Sequence, residues 1–215
     1  MSKRELERRA YLCEIRAEQS EEEGVIGRII VGRPIVYNSR TDLGWFDEII
    51  ESGALTTTDL KDVRFLVNHD TSRIPLARSR RNNGKSTMLL SVDERGLAVT
   101  VSLDTENNSE ARALYSAVER GDISGMSFMF SVADEEWEGL DTEHPTRRIK
   151  EISSVVEVSA VTFPAYESTE IFARSKEALD NARQTLESAK QQRSKSVETD
   201  ELNLLKEKTK ILGGN

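Results

Sequence analysis

The first histidine of the chain, His69, follows a short apolar run, Phe65-Leu66-Val67, and opens into the polar loop "NHDTSR". Imidazole moves protons near neutral pH better than any other side chain, so a histidine delivered at a strand end is a candidate general base. The other histidine, His144, lies in the turn-like stretch "DTEHPTRR", where a solvated ring is expected. A base needs a nucleophile, and "GDISGMSFMFSV" (121–132) offers Ser127. Side chains alternate along a strand, so Phe128, Phe130 and Val132 take the core face, while Ser127, Met129 and Ser131 take the other. Ser124 is the rival, but it precedes Gly125, where the chain is still turning. An orienting carboxylate is available at Glu157 in "VVEVSAVTFPA" (155–165), embedded in a strand that is apolar on both faces. A buried carboxylate needs a cationic or hydrogen-bonding partner, and a histidine or an arginine would each serve. Asp70 competes for the same role. Neighbours in an extended chain point to opposite sides, so Asp70 is expected to bond local loop amides instead.

Other chemistries find little support. Two histidines are too few for a metal phosphohydrolase built on the "HD" doublet, and neither zinc spacing, a Walker loop nor a dinucleotide fingerprint occurs. No metal or cofactor is therefore expected. A net charge of −8 argues against nucleic-acid binding, which needs a basic face. No apolar run approaches the roughly 20 residues of a membrane span. The first 23 residues are charged throughout, so a secretory signal is not expected. Cys13, the single cysteine, excludes an intramolecular disulfide and reads as a small strand residue rather than a nucleophile. Arg147, Arg148 and the "RSRR" run at 78–81 read as solvated.

The elements that must position these groups are mostly strands. "GVIGRIIVGRPIVY" is β-rich, with glycines and Pro34 marking bends or bulges. "STMLLSV", the turn "DERG" and "LAVTVSL" spell a hairpin. "NNSEARALYSAVERGD" is the clearest helix: Asn108 or Ser109 caps it, Ala111, Leu114 and Val118 space its buried face, and Gly121 stops it. Two longer strands, carrying Ser127 and Glu157, follow. From residue 175 onward the chain changes character. Eight Lys/Arg against seven Asp/Glu leave that tail at +1 and the first 174 residues at −9. Leu179, Ala182, Leu186 and Ala189 give the tail an amphipathic helical stripe, which "RSKSVETD" interrupts. The expected organisation is a body of residues 1–174 and a helical or partly disordered tail of 175–215. The fold class is mainly β with a few helices (α+β), as a barrel or a sandwich.

The order His69, Ser127, Glu157 resembles that of the tailed-phage prohead serine proteases, which are similar to the herpesvirus assemblins. "GWFDEIIESGAL" (44–55), "FLVNHD" (65–70), "GDISGMSFMF" (121–130) and "EVSAVTFPAY" (157–166) carry the resemblance. It implies a closed or partly closed assemblin-like barrel. It also implies that His69 is the general base, Ser127 the nucleophile and Glu157 the third member, where assemblins use a second histidine. Arg78 and the backbone N–H groups near Ser127 are the candidate oxyanion donors. The implied substrates are scaffold segments of the major capsid protein and the enzyme's own tail, cut in the host cytoplasm inside the assembling prohead. Kinship to assemblins further implies a homodimer. The alternative is a non-enzymatic, capsid-associated scaffolding protein that recruits partners through its helical tail.

Overall fold

A computed structural model describes residues 6–22, 25–162 and 175–192. The chain divides into two compact units, Met1–Phe172 and Ala173–Asn215. The first is built from strands β1 (Glu7–Leu12), β2 (Ile15–Glu22), β3 (Val25–Val36), β4 (Arg40–Asp42), β5 (Asp47–Ile50), β6 (Arg64–Val67), β7 (Ala77–Arg78), β8 (Met88–Asp93), β9 (Gly96–Leu103), β10 (Gly125–Glu138) and β11 (Thr146–Val161). One helix, α1 (Ser109–Glu119), separates β9 from β10. In the second unit, residues 175–192 form a helix, α2. The chain is mainly β with two helices, as its alternation and punctuation predict. None of the described helices is long and apolar enough to cross a membrane.

The strands form two sheets. The seven-stranded sheet runs β1-β10-β11-β5-β4, with β6 paired to β11 and β7 to β6; the four-stranded sheet runs β2-β3-β9-β8. The expected closed or partly closed barrel is not formed, because no hydrogen-bonded ladder joins the two sheets among the described residues. The chain crosses between them at residues 12–15, leaving β1 in one and β2 in the other. A shared apolar core holds them face to face, with Ile30, Ile35 and Val99 on one side and Met126, Phe128 and Phe130 on the other. They come close at Gly32, where a Cβ would sit 2.4 Å from Met126 Sδ. A side chain there would have to displace the Met126 thioether.

Local signals act as the residues dictate. Asn108 caps α1, its side chain accepting from the N–H groups of Glu110 and Ala111, and Ala111, Leu114, Tyr115 and Val118 are buried. Gly121 follows the helix at φ +79°. The β8–β9 hairpin pairs Met88 with Val101 through Asp93 with Gly96. In α2, Leu179 is buried and Ala182 and Leu186 are half-buried; "RSKSVETD" and the later helical stretch lie outside the described residues.

Two expectations are corrected. Arg147 is not solvated but only 3 % exposed, and it shares a buried ionic cluster with Arg9 and Glu48. Cys13 lies between β1 and β2 rather than within a strand. It is half-buried, and burial pushes its thiol up to about 11, which leaves it a poor nucleophile.

Candidate active site

β11 forms the floor of the site. It pairs antiparallel with β10 and parallel with β6, so it meets both chain segments that carry candidate residues. Ser127 on β10 lies directly opposite Ser159 on β11, and Met129 opposite Glu157. Paired residues project to the same face of a sheet, so Ser127, Ser159 and Glu157 share a face, with Phe128 and Phe130 on the other. β6 supplies the third member by running alongside, with Leu66 opposite Ser159 and Val67 opposite Ala160.

Just past Val67 the chain turns. Asn68 and His69 both adopt left-handed conformations, at φ +50° and +59°, and Asp70 N–H closes the turn onto Val67 O at 3.1 Å. Non-glycine residues visit this region rarely and at some cost. Bonds to β11 and to Thr162 just beyond it hold the turn there. Asn68 Oδ1 accepts from Thr162 N–H at 2.9 Å, Asn68 Nδ2 donates to Thr162 Oγ1 at 3.0 Å, and His69 N–H donates to Ser159 Oγ at 3.0 Å. The turn folds the imidazole back over β11, where His69 Nδ1 lies 2.6 Å from Glu157 Oε2. Ser159 Oγ donates to the other carboxylate oxygen, Oε1. Glu157 is buried and has the donor partners its apolar strand requires.

Asp70 takes the local role expected of it even though the chain turns sharply beside it. Its Oδ1 accepts from Ser72 N–H at 3.0 Å, and its Oδ2 faces Arg73 Nε at 3.2 Å. The Ser72 bonds, followed by Arg73, hold its carboxyl below the usual range. His144 is remote in chemistry as well as in sequence, half-exposed with Nε2 3.3 Å from Asp47 Oδ1. Asp42 joins that group, with ligand atoms within 4.8 Å, but Arg40 already pairs with Asp47 at 3.1 Å.

A family model of the caudovirus prohead serine proteases matches residues 13–184. The chain belongs to this family. It is 35 % identical over 149 residues to the prohead protease of Enterobacteria phage HK97, an overlap that covers 67 % of this chain and 59 % of that protein. The chain thus spans less than two thirds of that relative's length. No solved structure gives a significant match.

Of the three residues that resemblance to these proteases singles out, His69 and Glu157 are brought into contact. Ser127 shares their face, but its hydroxyl donates to Arg9 O on β1 at 2.7 Å rather than to His69, and the residue is fully buried. Ser124, the rival serine, is exposed in the turn before β10. Arg78 is committed elsewhere, its guanidinium forked onto Asp62 at 2.5 and 2.6 Å. Along Gly125–Phe130, β10 is flanked by β1 on one side and β11 on the other, so its backbone donors serve those ladders.

Sequence reasoning missed Ser159, Asn68 and Thr162. Ser159 had a visible signal, standing two residues beyond Glu157 on the same strand face. Asn68 had one too, because asparagine is among the non-glycine residues that most readily take a left-handed turn.

Proposed function

We propose that this chain is a serine endopeptidase in which His69 is the general base, Ser127 the nucleophile and Glu157 the orienting carboxylate. The observation that carries this reading is the 2.6 Å contact between His69 Nδ1 and Glu157 Oε2. With Nδ1–H donated to Glu157, Nε2 is left to accept a proton, which is the tautomer a base of this type needs. Ser127 must first release Arg9 O and turn about its Cα–Cβ bond towards the imidazole. The proton of its hydroxyl then passes to Nε2 as Oγ bonds to the peptide carbonyl carbon. When the C–N bond breaks, the leaving amine takes that proton, and water hydrolyses the acyl-enzyme by the same route. Glu157 stabilises the imidazolium throughout. The oxyanion needs donors outside the β1 and β11 ladders, or donors that a shift of β1 would free.

The proposed substrates are scaffold segments of the major capsid protein and the chain's own tail, cut within the assembling prohead of a phage. The tail, residues 175–215, would recruit the enzyme to the scaffold and then be trimmed between about residues 172 and 200. Kinship of the fold to the assemblins, and a homodimer, belong to the same proposal and rest on the sequence resemblance alone.

A second reading has its own support. Ser127 is buried with its hydroxyl engaged by Arg9 O, as suits a non-enzymatic scaffolding protein that kept the fold. A fluorophosphonate probe separates the two. The full chain, mixed with assembling capsid protein, should form an adduct on the Ser127 peptide by mass spectrometry. Ser127→Ala should form none and cleave nothing while keeping its circular dichroism. An adduct on Ser124, or none on a chain that cleaves capsid protein, would overturn the assignment; neither adduct nor cleavage would favour the scaffold.

A further inference from the structure

We propose that Ser159 is a positioning residue for the His69–Glu157 pair; the inference rests on, and deepens, the peptidase reading above. Ser159 is fully buried, and its hydroxyl makes two bonds with opposite roles. It accepts from the backbone N–H of His69 at 3.0 Å and donates to Glu157 Oε1. A serine hydroxyl has a single hydrogen, and here it goes to Glu157. Ser159 sits opposite Ser127 and two residues from Glu157.

The two bonds solve two separate problems. A carboxylate on a flexible side chain can present either oxygen in many orientations. Holding Oε1 fixes the carboxylate plane and leaves Oε2 for His69 Nδ1, 2.6 Å away. The same hydroxyl pins the main chain of His69, which stands at φ +59° with no Cβ-free residue to relax the conformation. Position of the ring and position of the carboxylate thus depend on one oxygen atom. The parallel register makes this possible, because Leu66 lies opposite Ser159 and the turn after Val67 brings the His69 N–H back above it.

The test uses the full chain and a signal that does not depend on turnover. A proton shared between imidazole Nδ1 and a carboxylate resonates far downfield in the proton NMR spectrum, and His69→Ala identifies it by removing it. Ser159→Ala should shift or broaden that resonance, in wild type and in Ser127→Ala alike. Ser131→Ala, which removes another buried strand serine, should leave it in place. On a peptide substrate, Ser159→Ala should lower kcat by about 10- to 100-fold, as small misplacements of catalytic groups do, with KM changed less than about twofold. An unshifted resonance together with an unchanged kcat would overturn the proposal. Should Ser159→Ala fail to fold, Ser159→Cys keeps the shape with a weak donor, and an unshifted resonance there would overturn it equally. If wild type proves to lack peptidase activity while the resonance still responds to Ser159, the peptidase reading fails and the positioning role stands.

Discussion

The seven-stranded sheet carries a buried carboxylate contact on each face, and the two are built differently. On the Ser127 face, Glu157 meets a histidine and a serine hydroxyl. On the opposite face, which carries Phe128 and Phe130, Glu48 meets two arginines: Arg9 reaches it through Nε at 2.6 Å and Nη2 at 2.7 Å, and Arg147 through Nη1 at 3.0 Å. Glu7 and Glu135 complete this second cluster, and Arg9 also lies 5.7 Å from the Phe130 ring centre. Although burial opposes the charge on both guanidiniums, Glu48 and Glu7 more than offset it, and both arginines are held further towards the charged form. Burial likewise pushes the Glu7 carboxyl up, but Arg147 and Arg9 outweigh it and hold it at about 2.

An arginine has no proton to give at any working pH, so its cluster can only hold strands together. It joins β1, β5 and β11 through residues 9, 48 and 147. A histidine in the same kind of contact keeps a second nitrogen and can pass a proton through it. The two contacts therefore separate a structural use of a buried carboxylate from a chemical one, and isosteric changes to each should fail in opposite ways.

The largest effect is expected at Glu157. Glu157→Gln keeps the shape but cannot stabilise an imidazolium, and its amide favours the wrong ring tautomer. Turnover on a peptide should fall by about 10⁴-fold, the scale seen when a triad carboxylate becomes an amide, with the melting temperature little changed. A variant that melts early but turns over normally would put Glu157 with the structural cluster instead.

Glu48→Gln should do the reverse. Removing one charge from a buried cluster leaves two arginines undercompensated, a loss on the order of 3–5 kcal/mol of stability. Urea unfolding measures it, and kcat on the remaining folded enzyme should stay near wild type. The Glu7 share of this stability has its own pH signature. Because its folded carboxyl is depressed, that share is complete above pH about 4.5 and drains away as the pH falls towards about 2.

The sequence showed one of these contacts far better than the other. Strand alternation placed Ser127 away from the phenylalanines, and an apolar strand around Glu157 demanded a partner for it. Both arguments are local. The arginine cluster joins residues 9, 48 and 147, which only the sheet order brings together, so Arg147 read as a surface charge. Barrel closure is hidden for the same reason, since whether β1 and β2 stay in one ladder depends on long-range pairing at residues 12–15. The Ser127–Arg9 contact also spans 118 residues of sequence, and no local pattern announces it.

A smaller effect is expected at Asn68, which tightens the catalytic side of the comparison without touching a reacting group. Asn68→Ala loses the side-chain bonds to Thr162 and a residue type suited to φ +50°, together about 1–2 kcal/mol. Asn68→Gly restores the backbone freedom but not the bonds. If the turn is what sets the His69 ring, both variants should lower kcat, and glycine should recover most of the stability. Equal kcat in wild type and both variants would leave Ser159 as the sole anchor of the ring.

The smallest effect is expected at Asp70, the carboxylate adjacent to the histidine in sequence. Its oxygens face Ser72 and Arg73, and the ring beside it turns the other way, to Glu157. Asp70→Asn keeps an acceptor for Ser72 N–H, so the loop should hold and peptide turnover should change by less than about twofold. Comparison with Glu157→Gln makes the measurement decisive, because both changes remove one negative charge near His69 and differ only in geometry. A screened, through-space role for charge would make the two losses similar. A role that depends on the hydrogen bond to Nδ1 would leave Asp70→Asn near wild type and confine the large loss to Glu157. If Asp70→Asn proves the more damaging, the turn at Asn68 does not fix the ring in solution as it does here, and Asp70 takes over as the orienting group.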